Sequence, residues 1–305
     1  MKILITGGAG YIGTEVTYEL SKKEEVSEII IYDNLSRGNY NLFIGQNKLS
    51  KVRFVQGDLL DSRKLRKSLK DVDVVLHLAA VVTTPFADQN PHLFEQINHW
   101  GTAELVYAIE ESNVKKLIYS SSVSVYGASK DEVDIQTKPD PKTFYGISKL
   151  RGEEHVQRIG SKIPVYVLRL GNVYGYSKSM RFDAVINRFM FDAHFRKRIT
   201  INGTGDQYRS FIHVDKTANL LSNIVVSDRL NPGCYNLVED NLSINYIAEK
   251  LQQLYPELEM LFVNQHMHLR DLKVKPDKSV NDLFEIRVRT LIEVLTEFKK
   301  NFTFI

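Results

Sequence analysis

The sequence contains a single cysteine and no long apolar run. One Cys among 305 residues, Cys234, excludes a disulfide within the chain. The apolar stretches are only a few residues long, whereas a membrane-spanning helix needs about 20. The N-terminus passes from Met1 and Lys2 directly into a strand-like segment, without the apolar core and cleavage site of a signal peptide. We therefore expect a reducing, cytoplasmic compartment and no membrane contact.

The sequence also lacks an excess of charge of one sign. It has 40 Lys and Arg against 37 Asp and Glu, a net charge of +3, and its few basic runs, such as Arg196-Lys197-Arg198, are scattered. This distribution does not favour nucleic acid as a partner. Apolar residues make up 43% and charged residues 25%, which is typical of a globular chain and excludes collagen-like and disordered classes. The length of 305 residues predicts roughly two domains.

Short apolar runs alternate with helical patterns in the first half of the chain. This alternation predicts an α/β fold with a doubly wound parallel sheet and helices on both faces. The predicted strands are Lys2 to Thr6, Glu28 to Tyr32, Val52 to Gln56, Asp73 to Leu78, Lys116 to Ser121 and Val165 to Leu170.

The alternation ends after Leu170. An irregular stretch follows, then a helical pattern from about Arg181 to Arg198 and a short strand from Ser210 to Val214. We therefore predict a first domain over residues 1–170, joined by later segments around 210–238. Residues 171–305 are predicted to form mainly a second, smaller, mixed α/β domain.

A glycine-rich turn follows the first predicted strand. Gly7, Gly10 and Gly13 are spaced G-x-x-G-x-x-G, a helical pattern follows, and Asp33 ends the next strand 20 residues after Gly13. In a Rossmann-type fold, such glycines let the backbone approach a pyrophosphate at a helix N-terminus. The carboxylate binds the ribose hydroxyls of the adenosine and repels a 2′-phosphate, so the pattern predicts NAD rather than NADP. The alternative is a turn that only packs a helix onto a strand.

A serine-rich segment and a Y-x-x-x-K motif supply a candidate catalytic group. Tyr145 and Lys149 lie four residues apart, on one face of a predicted helix. A nearby ammonium favours the phenolate, which can accept a proton from a hydroxyl. Ser122 follows a parallel strand, at the edge where sites form, and can orient that hydroxyl. Each pattern also occurs by chance, but together with the glycine turn they predict an NAD-dependent enzyme.

With these motifs the chain resembles the extended short-chain dehydrogenase/reductases, specifically their NAD-dependent nucleotide-sugar epimerases and dehydratases. The likeness extends nearly from end to end. Further motifs that carry it are Tyr32-Asp33-Asn34-Leu35, Gly57-Asp58-Leu59, His77-Leu78-Ala79-Ala80, Asn98 with Gly101-Thr102, the segment 168–175 (LRLGNVYG) and the segment 209–215 (RSFIHVD).

The resemblance implies roles for particular residues. Ser122, Tyr145 and Lys149 would be catalytic, and Tyr145 and Lys149 would also contact the cofactor. The other implied cofactor contacts are Gly7, Gly10, Tyr11, Ile12, Gly13, Asp33, Asn34, Asp58, Leu59, Leu78, Ala79, Ala80 and Asn98.

The same resemblance implies that residues 1–170 form the NAD-binding domain and that residues 171–305 form mainly the substrate domain, for a nucleotide sugar. Asn172, Arg209 and Arg270 match positions that contact its diphosphate. Both arginines are also compatible with an ordinary surface. By spacing, Arg181, Asp183 and Asn187 lie on or near one helical face and are candidates for binding the sugar or the base. The alternative is a solvated helix start.

The implied reaction is a transient oxidation at the sugar C4, as in 4-epimerases. The alternative is a C4 dehydrogenase or 4-ketoreductase that exchanges its cofactor. A 4,6-dehydratase is disfavoured, because Val123 and Ser124 stand where the dehydratases have an Asp-Glu pair. A non-catalytic binding module is disfavoured because Tyr145 and Lys149 are both present.

Two further expectations concern partners and metals. The resemblance implies a homodimer that packs helices near Pro91 to Ser112 and Tyr145 to Ile159. We expect no metal, since His266 and His268 alternate as on one strand face but have no third ligand at a suitable spacing.

Overall fold

The computed structural model describes residues 1–44, 49–82, 90–263, 271–284 and 289–302. The strands are β1 (Lys2–Thr6), β2 (Glu28–Asp33), β3 (Val52–Gln56), β4 (Val74–His77), β5 (Lys116–Ser122), β6 (Val165–Leu170), β7 (Asn172–Tyr174), β8 (Arg198–Asn202), β9 (Tyr208–His213), β10 (Gly233–Leu237), β11 (Asp240–Ser243) and β12 (Glu259–Val263). The helices are α1 (Tyr11–Ser21), α2 (Ser62–Ser68), α3 (Pro91–Phe94), α4 (Gly101–Glu110), α5 (Phe144–Arg158), α6 (Val185–Arg196), α7 (Val214–Val226), α8 (Ile244–Leu254), α9 (Lys278–Leu283) and α10 (Leu291–Lys300).

The main sheet contains seven parallel strands in the order β10-β6-β5-β4-β1-β2-β3. The order runs outward from β1 in both directions, which is the doubly wound topology. The predicted fold class is therefore confirmed, and each of the six predicted strands ends within one residue of its observed bounds. The edge strand β10 comes from the later part of the chain and pairs with β6.

Both faces of the sheet are covered by helices, as the β1 side chains illustrate. Ile3 and Ile5 point into a core formed with α1 and α7, whereas Leu4 points into a second core with α2, α4 and α5. All three side chains are fully buried. Burial on both faces explains why the predicted strands are apolar without alternation.

The rest of the chain forms two small sheets and a separate core. Strands β11, β9 and β7 form one sheet, and β12 and β8 form the other. The core lies between α6, α8 and α10. Helix α6 begins at Val185 rather than at the predicted Arg181, so the preceding residues form a turn. Within the described residues, no helix is long and apolar enough to cross a membrane.

Candidate active site

A cavity of about 560 Å³ lies over the carboxyl ends of β1, β2 and β4. This is the edge at which doubly wound sheets bind ligands. Twelve of the implied cofactor residues line the cavity: Gly7, Gly10, Tyr11, Ile12, Gly13, Asp33, Asn34, Asp58, Leu59, Leu78, Ala79 and Ala80.

The glycine turn forms a cradle that side chains would fill. Gly7 has φ +69°, and a Cβ there would lie 2.7 Å from the Cα of Ala79. A Cβ on Gly13 would lie 2.5 Å from the carbonyl oxygen of Gly7. Helix α1 begins at Tyr11, so its first backbone amides face the cavity. This cradle fits a pyrophosphate, and the glycines fit the role that the sequence predicts for them.

Asp33 holds its carboxylate at one end of the same cavity. Its Oδ2 accepts from the Ala9 amide at 3.1 Å and its Oδ1 from the Leu35 amide at 2.8 Å. Burial raises the pKa of this carboxyl above its ordinary value, although both backbone bonds oppose the shift. Beside it, the Asn34 amide donates to Asp58 Oδ2 at 2.9 Å. The arrangement fits a ribose and an adenine at this end.

The serine-rich turn and the start of α5 approach each other closely. Ser122 ends β5, and its Oγ accepts from the Ser124 amide at 3.1 Å. Helix α5 begins after Thr143, whose side chain accepts from the Gly146 amide at 3.1 Å. A Cβ on Gly146 would lie 2.6 Å from the carbonyl oxygen of Ser124. Because glycine allows this approach, Tyr145 comes within hydrogen-bonding reach of Ser122.

The environment of Tyr145 contains opposing influences on its acidity. Burial raises the pKa of its phenol above the ordinary value, while the charge of Arg181 and the hydrogen bond with Ser122 lower it. Tyr145 also lies in the first turn of α5, where the positive end of the helix dipole favours an anion. The phenolate thus has three sources of stabilisation in the protein.

Lys149 lies one turn further along α5 and is almost completely buried. Burial lowers the pKa of its ammonium to about 7, and the carboxylate of Glu153 opposes that shift. The sequence prediction that Tyr145 and Lys149 share one helix holds in the structure.

Arg181 is the substrate candidate that the structure places at the cavity. Its Nε donates to Asp183 Oδ1 at 2.8 Å and its Nη2 to the Val82 carbonyl at 3.0 Å. The turn before α6, rather than a helical face, brings Arg181 and Asp183 together. The charge of Arg181 also acts on Tyr145, so a side chain of the cavity influences the candidate catalytic group.

Three other predicted or candidate polar residues use their side chains within the protein. Asn98 is buried, exchanges hydrogen bonds with the backbone of Val81 and donates to Ser148. Asn187 is also buried and accepts from the Gly175 amide, so it is neither a solvated residue nor exposed to the cavity. Asn172 donates to the Ser210 carbonyl at 2.9 Å.

The remaining predicted positions lie elsewhere. Arg209 is half-buried on β9. Arg270, like His266 and His268, lies outside the described residues. Within the described ranges, no group of three or more His, Cys, Asp or Glu side chains is arranged to hold a metal ion.

Comparisons with known proteins give the family. The model of the NAD dependent epimerase/dehydratase family matches residues 3–237. The chain belongs to this family. It is 32% identical over 265 residues to dTDP-D-glucose 4,6-dehydratase of Bos taurus, covering 84% of this chain and 73% of that protein. It is 33% identical over 222 residues to a putative UDP-glucose 4-epimerase of Methanocaldococcus jannaschii, covering 71% of this chain and 70% of that protein.

A solved structure of the family superposes on nearly the whole chain. It is the UDP-glucuronic acid 4-epimerase of Bacillus cereus in complex with UDP-glucuronic acid and NAD. The TM-score is 0.86 at 26% identity, with 98% of each chain covered. The protein is thus an NAD-dependent enzyme of the epimerase/dehydratase family, and the glycine cradle with Asp33 fits that cofactor.

Two features of this epimerase/dehydratase family member escaped the sequence analysis. Glu153 and Arg169 form a buried ion pair behind the candidate catalytic group, with Nε–Oε1 and Nη2–Oε2 distances of 3.0 and 2.7 Å. Tyr119 lies under Lys149, with its ring centroid 4.3 Å from Nζ. A signal was available for the ion pair, because Glu153 is one helical turn after Lys149 and Arg169 interrupts an apolar strand.

Proposed function

We propose that the protein is a nucleotide-sugar 4-epimerase. The observation that carries the proposal is the position of Ser122 at the carboxyl end of β5, with Tyr145 and Lys149 on the adjacent helix α5. Arg181, whose charge acts on Tyr145, lines the cavity that fits NAD. The UDP-sugar epimerases among its relatives support the same reaction, and UDP-sugars are the first substrates to test.

In the proposed reaction, Tyr145 Oη takes the proton of the sugar C4 hydroxyl, which Ser122 orients by a hydrogen bond. The Lys149 ammonium stabilises the phenolate form of Tyr145 that accepts this proton, and it would also bind the nicotinamide ribose. Bound NAD would accept the hydride from C4 and would return it to the other face of the 4-keto sugar. Tyr145 then returns the proton to the C4 oxygen, so the product has the same composition as the substrate.

Arg181 is proposed to bind an acidic group of the substrate. It is already paired with Asp183, so it lies at the cavity in a fixed position before substrate arrives. A guanidinium suits a diphosphate or a sugar carboxylate, which it can bind through two donors. Asn172, Arg209 and Arg270 remain proposed substrate contacts.

A dehydratase is less well supported, although a dehydratase is among the similar proteins. Loss of water requires an acid and a base at the sugar. The turn after Ser122 instead presents Val123, which is buried, and Ser124. This turn carries no carboxylate that could perform either task.

The test combines cofactor content with product analysis. Freshly purified protein is heat-denatured and the released NAD(H) is counted per subunit by mass spectrometry. Intact protein is then incubated with UDP-glucose, UDP-galactose, UDP-N-acetylglucosamine and UDP-glucuronic acid. An epimerase yields a product of unchanged mass that separates from its substrate, without net NADH. Stoichiometric NADH with a 4-keto product would instead identify a dehydrogenase, and loss of one water a dehydratase; either result overturns the proposal.

A further inference from the structure

The ammonium of Lys149 is buried, and burial disfavours its charged form. The residue is 2% exposed, and burial lowers its pKa to about 7. A neutral lysine would not stabilise the Tyr145 phenolate, so the protein needs contacts that keep this ammonium protonated.

Glu153 supplies only part of that stabilisation. Its two carboxylate oxygens accept from the guanidinium of Arg169, and Oε1 also accepts from Ser121. These bonds neutralise most of its charge within the protein core. Its effect on Lys149 is therefore electrostatic and at a distance.

Tyr119 makes the close contact with the Lys149 side chain. The Nζ atom lies 4.3 Å from the centroid of the tyrosine ring, within the range of a cation–π interaction. Such an interaction is stronger where water is excluded, and Tyr119 is completely buried on β5. The buried ring face thus gives the Lys149 ammonium a close electrostatic partner.

The hydroxyl of the same tyrosine contacts the backbone of Lys149. It donates to the Lys149 carbonyl oxygen at 3.2 Å. Burial raises the pKa of Tyr119 well above its ordinary value, so the hydroxyl keeps the proton that it donates. One tyrosine therefore contacts both the backbone and the charged end of Lys149.

Gly152 makes room for this tyrosine. A Cβ at position 152 would lie 2.3 Å from the Tyr119 hydroxyl oxygen and 3.1 Å from the ring carbon that bears it. Glycine within a helix is destabilising relative to alanine. Its presence in the middle of α5 allows the helix to lie directly against the phenol.

His77 supports the ring from β4 without adding charge. Its ring centroid lies 5.4 Å from that of Tyr119, and its nitrogens bond Thr6 at 2.6 Å and Thr102 at 2.9 Å. Burial and the charge of Lys149 lower the pKa of His77 to about 3, so it stays neutral at ordinary pH. Neutral His77 therefore does not compete with the Lys149 ammonium for the ring of Tyr119.

We propose that Tyr119 is a positioning residue of the proposed reaction: its ring keeps the Lys149 ammonium protonated, and its hydroxyl fixes the backbone of α5 beneath it. Among the residues that the structure describes, the titratable groups around Lys149 are Glu153 and Tyr145 on its own helix, Tyr119 on β5 and His77 on β4. Of these, Tyr119 makes the cation–π contact with the ammonium. The consequence for turnover rests on the proposed function, whereas the effect on the protonation of Lys149 does not.

The first experiment measures the Lys149 protonation midpoint by NMR. The full-length protein is labelled with ¹³C at lysine Cε, and the Lys149 signal is assigned by its absence in Lys149→Arg. Phenylalanine and trifluorophenylalanine are compared at position 119, because fluorination weakens the ring's attraction for cations while preserving its shape. We expect the fluorinated ring to lower the midpoint by about one pH unit, a ten-fold change in the acid constant. Equal midpoints would overturn the proposal.

Tyr166 provides the matched control, since it is also a buried tyrosine of the main sheet. The same pair of residues at position 166 should leave the Lys149 midpoint unchanged. A shift of similar size there would mean that fluorination acts through general destabilisation, and would also overturn the proposal. Gly152→Ala should lower the midpoint by displacing Tyr119, and adding Tyr119→Phe should restore it, because the clashing oxygen is then absent.

The second experiment follows kcat against pH with a nucleotide sugar that the enzyme converts. Because Lys149 must be protonated, the alkaline limb of the profile should move to lower pH in the fluorinated variant, by the same amount as the NMR midpoint. A limb that stays fixed while the midpoint moves would contradict the catalytic part of the proposal. If no nucleotide sugar is converted, the proposed function fails, and the NMR comparison still tests the contact between Tyr119 and Lys149.

Discussion

Glu153 and Arg169 form a two-bond ion pair between α5 and β6, with both side chains less than one-tenth exposed. The Arg169 Nη1 also donates to the Tyr126 hydroxyl at 2.9 Å, and that hydroxyl donates to Asn236 on β10. The pair therefore joins the helix that carries Tyr145 to two strands of the main sheet. It helps to hold α5 in place against that sheet.

Removing one partner of this pair should be costly, because it leaves a buried charge uncompensated. We expect Glu153→Gln to lower the free energy of unfolding by about 3–5 kcal/mol in urea denaturation. The matched control is Glu110→Gln, which breaks exposed pairs with Arg158 and Lys162 and should cost under about 1 kcal/mol. Similar losses for the two variants would show that burial does not determine the strength of the pair.

Tyr145→Phe should abolish turnover while leaving the cofactor bound. The substitution removes the oxygen that exchanges the proton and changes the packing little, so we expect a loss of at least about 100-fold in kcat. The NAD affinity, measured by calorimetry, should remain within a few-fold of wild type. Retained activity in this variant would exclude Tyr145 as the acid–base group.

Asp33 should make the enzyme prefer NAD to NADP. The carboxylate is fixed by the amides of Ala9 and Leu35, so it cannot turn away from a 2′-phosphate without losing both bonds. We expect NAD to bind about 100-fold more tightly than NADP, and Asp33→Asn to reduce that ratio at least about ten-fold. Equal affinities of the wild-type protein for the two cofactors would contradict this assignment.

His77 should contribute to acid destabilisation. Its pKa is lowered from 6.5 to about 3 in the folded protein. Neutral His77 therefore contributes stability above pH 6.5, the ordinary pKa that it has in the unfolded chain. This contribution is lost as the pH falls from 6.5 toward about 3, because in that range only the unfolded chain binds the proton. Urea midpoints across this window should fall less steeply for His77→Gln than for wild type. Parallel curves would mean that His77 titrates normally.

Exposed aromatic side chains in the segment Pro91 to Ser112, one of the two predicted to form the homodimer, offer a candidate interface. Trp100 and Tyr107 are 53% and 41% exposed, and Tyr107 contacts His155 and Arg158 of α5. We expect a dimer mass in light scattering, and a monomer for Trp100→Glu, which places a charge in the interface. Leu261→Glu, which changes an equally exposed side chain on β12, should leave the dimer intact. A monomeric wild-type protein would contradict the prediction.

The sequence predicted features that depend on spacing within one element or between neighbouring ones. The order of a strand, a helix and the next strand was enough to predict the glycine turn and the position of Asp33. The helical repeat was enough to predict that Tyr145 and Lys149 lie on one face of a helix. The main-sheet strands were predictable because burial on both faces leaves continuous apolar runs. The start of α6 was predicted too early, since the residues before Val185 pair with one another in a turn.

Contacts between distant segments were decided only by the tertiary structure. Asn98 matches a cofactor motif in the sequence, yet the fold uses its amide to hold the backbone of Val81. Tyr119 looks like an ordinary core residue until α5 places the Lys149 ammonium against its ring. The physical reason is that periodicity shows which side chains are buried, whereas the partner that each one meets depends on how the helices and strands pack together.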